Sequence, residues 1–292
     1  MITLFNMLTY LLMKVTILQP KGYCAGVARA IDIALKARKE HLDKNVYVLG
    51  MLVHNHHVSN LLKEHNITIV NDFEAIEDES VIVFNADGHT KEQYQKALDK
   101  HLIIYNAICP KVENNLKKIH QENKNGHQVI YIGQKNHQET QIALASSSNI
   151  VLYDDKEGID WSKVNDESPF VLNQTTLNSV EIVNLYNDIK NHYPEARISN
   201  EICPTTRKRQ EAVQLIKEVD AIIVVGDQVS SNSKRLFEIA STFHPGVFVC
   251  MVSDYQELPL EELTNKNHIA ISSGASTPSD VIDVIYNKII SL

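Results

Sequence analysis

Three cysteines, Cys24, Cys109 and Cys203, each stand immediately before text of helical character. The stretches that follow are AGVARAIDIALKARKE, PKVENNLKKIHQEN and PTTRKRQEAVQLIKEV, with Pro110 and Pro204 at the first helical position, where a missing N–H is tolerated. A thiol at a helix N-terminus meets free amides and the positive end of the helix dipole, and both favour the thiolate. Three converging thiolates suit a soft metal centre. A [4Fe–4S] cluster takes four ligands, so three cysteines leave one iron open as a Lewis acid for a substrate oxygen and as an electron relay. Structural zinc is the competing metal. It normally closes its fourth position and uses short ligand spacings, whereas these cysteines lie 85 and 94 residues apart. The cluster is the expected cofactor. Cys250, within GVFVCMVSD, reads as a small inert hydrophobe.

A second group of residues suits an anionic ligand. Ser230-Ser231-Asn232-Ser233 and Gly274-Ala275-Ser276 are hydroxyl and amide donors in turns that open helices, natural phosphate cradles. His54 and His137 add donors that carry charge when protonated. Any one of these side chains is ordinarily a helix cap, and only their repetition favours a site. Glu139, two residues after His137, is a candidate proton donor, because a carboxyl beside an anion and a metal has reason to be protonated. Thr175 is placed to orient that proton path or a substrate hydroxyl. The run Arg207-Lys208-Arg209 reads as a solvated helix face.

Short β-rich runs must position these groups. They are Lys14–Leu18, Val46–Leu49, Val81–Phe84, Leu102–Tyr105, Val129–Ile132, Phe170–Leu172, Ala221–Val225, Val247–Met251 and His268–Ile271, alternating with amphipathic helical text. Aligned on the cysteines, the runs repeat one order. A helix follows the cysteine, then a strand ending in Gly50, Gly133 or Gly226, then His54, His137 or Ser230 four residues on. A second strand leads to a small polar loop: Ala86-Asp87-Gly88-His89, Gln174-Thr175-Thr176 or Gly274-Ala275-Ser276. The expected fold is α/β, with three pseudo-symmetric units of small parallel sheets around a central cavity: 13–107, 108–201 and 202–292, after an extension at 1–12. Ligands of parallel sheets bind beyond the carboxyl ends of the strands, so three such edges would bring the thiols and polar loops together.

Bulk composition narrows the partners. A net charge of −8 opposes a polyanion-binding surface, so nucleic acid is excluded as a first expectation. Four cysteines without a C-x-x-C pair make neither a disulfide scaffold nor a zinc ribbon, and a reducing cytoplasm fits. Met1 to Met13 is apolar but too short to span a bilayer, and it lacks a basic flank and a cleavage site. No membrane association is expected, and residues 1–12 read either as a short surface extension or as text upstream of a true start at Met13.

The residues resemble the LytB-type 4-hydroxy-3-methylbut-2-enyl diphosphate reductases. The likeness rests on Gly22-Tyr23-Cys24-Ala25-Gly26-Val27-Ala28-Arg29-Ala30, with Tyr for the family's usual Phe, on Val53-His54-Asn55 and on Cys109-Pro110. It continues in His137-Gln138-Glu139, Gln174-Thr175-Thr176-Leu177, Cys203 with Thr206, Arg209, Gln210 and Ala212, Ser230-Ser231-Asn232-Ser233 with Arg235-Leu236, and Gly274-Ala275-Ser276-Thr277-Pro278. The resemblance implies a central [4Fe–4S] cluster on Cys24, Cys109 and Cys203, with His137 as a phosphate ligand and Glu139 in the proton relay. It also implies removal of the substrate's C4 hydroxyl with two electrons and two protons, giving isopentenyl and dimethylallyl diphosphate. Ferredoxin or flavodoxin would be the electron donor.

One departure bears on activity. Asp87 stands where the family has a phosphate-binding His, and a carboxylate beside a diphosphate is repulsive unless protonated or paired. His89 is the nearest replacement donor. Gln134-Lys135-Asn136 also replaces the family's His-Ala-Gly. The competing readings are a dehydratase of the quinolinate synthase type, which handles carboxylates, and a silent descendant that binds a diphosphate or senses redox state. Asp87→His is expected to raise kcat/KM for the family substrate, measured anaerobically with a reduced viologen dye; a fall would show the aspartate to be adapted.

Overall fold

The strands that matter most are apolar at every position. Val46–Leu49, Val81–Phe84, Val129–Gly133 and Ala221–Val225 are buried throughout, as strands covered on both faces must be. The computed structural model describes residues 13–292, so the extension expected at 1–12 lies outside the described residues. In chain order β1 (Lys14–Ile17) precedes α1 (Ala25–Glu40), β2 (Val46–Leu49), α2 (His56–Glu64), β3 (Ile67–Val70), β4 (Val81–Phe84), α3 (Lys91–Asp99) and β5 (Ile103–Asn106). Then come α4 (Pro110–Lys124), β6 (Val129–Gly133), α5 (Gln138–Ser146), β7 (Ile150–Asp154), β8 (Gly158–Ile159), β9 (Phe170–Asn173), α6 (Glu181–His192) and β10 (Arg197–Ile198). The chain ends with α7 (Pro204–Leu215), β11 (Ala221–Val225), α8 (Ser231–Phe243), β12 (Phe248–Val252), α9 (Leu260–Leu263), β13 (His268–Ser273) and α10 (Ser279–Ile290).

These strands form three sheets, ordered β3-β2-β4-β5, β8-β7-β6-β9-β10 and β12-β11-β13-β1, parallel except where β8 returns against β7. In the first two sheets the chain leaves one central strand toward one edge and the other central strand toward the opposite edge; in the third, β11 leads to the edge strand β12, and the opposite edge, beside β13, is filled by β1 from much earlier in the chain. That creates a switch point between β2 and β4, between β6 and β9, and between β11 and β13, where parallel sheets open a crevice. The pleat sends alternate side chains to opposite faces. Val46 and Val48 meet Ala30, Ala34 and Ala37 of α1, while Tyr47 and Leu49 pack with Ile82 and Phe84. In the third sheet Ile223 and Val225 meet Ile282, Ile285 and Ile289 of α10, and Ile222 and Val224 meet Leu236, Ile239 and Ala240 of α8.

One strand departs from the expected division. Lys14–Ile17 lies within the segment 13–107, yet β1 pairs with β13 of the third sheet, Val15 opposite Ile269. The reason is cyclic. β5 closes the edge of the first sheet and leads to Cys109, β10 closes the second and leads to Cys203, and β1 closes the third and leads to Cys24. Each cysteine amide then donates to the polar loop of the sheet just left: Cys109 to Ala86 O (2.8 Å), Cys203 to Thr175 O (2.9 Å) and Cys24 to Ala275 O (2.9 Å).

The third crevice is closed tightly by Gly226, after β11. A Cβ there would collide with Ser233 Oγ and lie 2.7 Å from Ser233 Cβ. Gly226→Ala is expected to cost about 1–3 kcal/mol through overpacking, read as a lowered midpoint in thermal unfolding; an unchanged midpoint would mean that α8 does not approach β11 this closely.

Candidate active site

Cysteines 24, 109 and 203 are the N-caps of α1, α4 and α7, none of them in helical backbone. Cys24 Sγ accepts from Val27 N–H at 3.4 Å. All three thiols line one cavity. They are free of disulfides and half-buried. Gly26 shows how closely two of them approach: a Cβ there would lie 2.9 Å from Cys109 Sγ and 3.7 Å from Cys24 Sγ. Burial pushes the Cys109 thiol up, and the nearby Cys24 and Cys203 add to that rise against helix amides that lower it. Three soft donors in one recess, with a glycine cleared beside two of them, fit a thiolate-bound metal centre better than any hard-cation site. Cys250 lies elsewhere, against the apolar packing of the third sheet, its thiol pushed up to about 12 by burial.

Across the cavity Glu139, at the start of α5, is 2% exposed. Its Oε1 accepts from Thr175 N–H (3.0 Å) and from the Tyr131 hydroxyl (3.2 Å), and its Oε2 meets Thr175 Oγ1 at 2.8 Å. Burial and the charge of Asp87 push this carboxyl up to about 7, against the Thr175 and Tyr131 bonds that lower it. Since Oε1 already holds two donors, a proton sits better on Oε2; the 2.8 Å contact then reverses and turns the Thr175 hydroxyl toward the cavity. Glu139 is therefore an acid that exchanges its proton near neutral pH.

The histidines differ in role. His137 caps α5 by accepting Glu139 N–H on Nδ1 (3.2 Å), so the neutral ring carries its hydrogen on Nε2, a donor available to an anion. Burial lowers its pKa, partly offset by Asp87. His54 Nε2–H donates to Asp87 Oδ2 at 2.9 Å. This bond raises the His54 pKa although burial opposes it. Burial pushes Asp87 up in turn, but His54 and His137 outweigh it and hold the carboxyl below its usual range. Pairing favours the imidazolium of His54 and the carboxylate of Asp87, so positive charge on His54 is met within the protein.

The structure brings together on this cavity Cys24, Cys109, Cys203, His54, Asp87, His137, Glu139, Thr175, Ser230, Ser231, Asn232 and Ser276. Asn232 is buried, and neither its Oδ1 nor its Nδ2 has a partner among the described residues, so its amide is available to a ligand. His89 is not among the lining residues. Its ring stacks 4.3 Å from Phe84 and 5.2 Å from Tyr94, on the far side of β4, so it does not replace the donor lost at position 87. The expectation of a solvated Arg207-Lys208-Arg209 face also fails at one residue: Lys208 is exposed, but Arg209 is 1% exposed because α7 turns it inward between units. Tyr131 was not foreseen as a partner of Glu139; a tyrosine inside a buried strand, two residues before Gly133, was the only signal.

The profile of the LytB protein family matches residues 15–290. The chain belongs to the LytB family. A curated relative from Macrococcus caseolyticus, named 4-hydroxy-3-methylbut-2-enyl diphosphate reductase, is 35% identical over 95% of this chain and 89% of its own. One of the same name from Anoxybacillus flavithermus is 35% identical over 92% and 88%. The solved structure of the E-1-hydroxy-2-methyl-but-2-enyl-4-diphosphate reductase from Plasmodium falciparum superposes with a TM-score of 0.86 at 27% identity, covering 94% of this chain and 87% of that one. The small parallel sheets seen here are thus the LytB arrangement. No helix among the described residues is long and apolar enough to cross a membrane.

Asp87 acts in this cavity in two ways: it pairs with His54 and it raises the Glu139 carboxyl. Asp87→Asn takes away the second-largest influence raising Glu139, so its pKa falls and the protonated fraction is lost at lower pH. The alkaline limb of the activity profile is expected to move to lower pH; a limb that stays in place would separate Asp87 from Glu139.

Proposed function

We propose that this LytB-family chain reduces 4-hydroxy-3-methylbut-2-enyl diphosphate to isopentenyl and dimethylallyl diphosphate at a [4Fe–4S] cluster held by Cys24, Cys109 and Cys203. The observation that carries the reading is a single cavity lined by three free thiols on one side and by a buried carboxyl titrating at about 7 on the other. The cluster, when bound, supplies electrons and a Lewis-acidic iron for the substrate hydroxyl.

The protein's own groups supply the rest. Substrate loses its C4 hydroxyl as water, taking up two electrons and two protons overall, so C–O cleavage needs an acid near that oxygen. Glu139 delivers one proton from Oε2 through the Thr175 hydroxyl. The diphosphate is received by the Nε2–H of His137, the hydroxyls of Ser230, Ser231 and Ser276, the Asn232 amide and the N-terminus of α8. His54, bound to Asp87, serves this pocket through its charge more than through a free donor. Ferredoxin or flavodoxin is the proposed electron donor, in the cytoplasm.

Anaerobic reconstitution tests the reading. Iron and acid-labile sulfide should bind the native chain, and Cys203→Ser should lose most of both. Turnover of the allylic diphosphate with a reduced viologen should follow, and Glu139→Gln should lower it about 10²–10⁴-fold, as expected on removing a positioned acid. A cluster without turnover would identify a redox sensor, and bound zinc without sulfide would sink the proposal.

A further inference from the structure

Arg209 heads the large side chains that the fold buries completely. A guanidinium held from water is costly unless counter-charge faces it. No carboxylate does so: among the described residues no ion pair includes Arg209. Its Nη1 donates to Ser273 O (2.7 Å) and Ser273 Oγ (2.9 Å), its Nη2 donates to Gly22 O (2.6 Å), and its Nε has no partner. The titratable groups within its electrostatic reach are the Cys24 and Cys203 side chains, which oppose the lowering that burial imposes on it. Gly22 lies two residues before Cys24. Ser273 ends β13 and leads to Ala275, which accepts the Cys24 amide. Arg209 itself lies on α7, which begins at Cys203.

We infer that Arg209 is a positioning residue: a fixed cation, clamped between the frames of Cys24 and Cys203, that offsets their thiolate charge and raises the reduction potential of the cluster. The inference rests on the iron–sulfur reading above. Net charge and second-shell donors set the potential of such centres. A cation that cannot move away stabilises the electron-rich form more than the oxidised one. Arginine suits the place because its planar fork satisfies two backbone carbonyls while remaining charged, which lysine does with poorer geometry.

The test uses the cluster-loaded protein. Iron and sulfide content and the midpoint potential are measured for native chain, Arg209→Gln and Arg209→Lys. The glutamine variant should move the midpoint to more negative values by at least a tenfold change in the one-electron equilibrium, about 59 mV. The lysine variant should stay within about threefold of native, roughly half that tenfold step on the logarithmic scale of the same relation. If Gln loses the cluster, a Lys variant that keeps it at native potential supports the charge role. Loss or an equal shift in both variants overturns it in favour of geometry alone, as does Gln at native potential with full cluster. A native chain without acid-labile sulfide defeats the iron–sulfur reading itself, and this inference with it.

Discussion

The hydrogen bond from each cysteine amide to a loop carbonyl of the sheet just completed is the contact on which the site depends. It occurs three times, to Ala86, Thr175 and Ala275, at 2.8–2.9 Å. It ties the end of a strand, the cap of a helix and a polar loop into one corner. Those same loops carry or adjoin Asp87, Thr175 and Ser276, so a corner that fixes a sulfur fixes a ligand-facing group with it. Three such corners, each at a switch point, give the cavity its composition: soft donors from the helix caps and hard donors from the loops.

Electrostatics inside that cavity are a contest between few groups. Glu139 is hydrogen-bonded as a carboxylate would be, by Thr175 and Tyr131, yet burial and Asp87 keep it near neutrality in its titration. The His54–Asp87 pair satisfies itself, and His137 is left with a free donor by its own helix cap. Asp87 therefore bears both on the charge of the cavity, through His54 and His137, and on the titration of Glu139.

Much of this was legible in the sequence because it repeats. Glycine after a central strand, a polar side chain four residues on, and cysteine before a helix are local signals, and they locate nearly all the cavity residues. Non-local facts were not legible. β3, β7, β8 and β10 were absent from the expected strands; β3, β8 and β10 are edge strands and β7 adjoins one, so their side chains are only partly buried. His89 and Asp87 are two residues apart, and only the turn at Gly88, with φ of +97°, sends one to the cavity and the other to the aromatic cluster. The burial of Arg209 follows from how α7 meets β13, which neighbouring charges in a helix cannot reveal.

The pairing of β1 with β13 has a consequence for biosynthesis. Among the described residues an early strand must wait for the last one, and the Thr16–His268 contact spans 252 residues. Until then the Cys24 corner lacks the carbonyl of Ala275, and the third wall of the cavity is missing. Closure is thus a late, long-range event of the kind that folds slowly. The recess around all three thiols therefore reaches its final shape only once that pairing has formed.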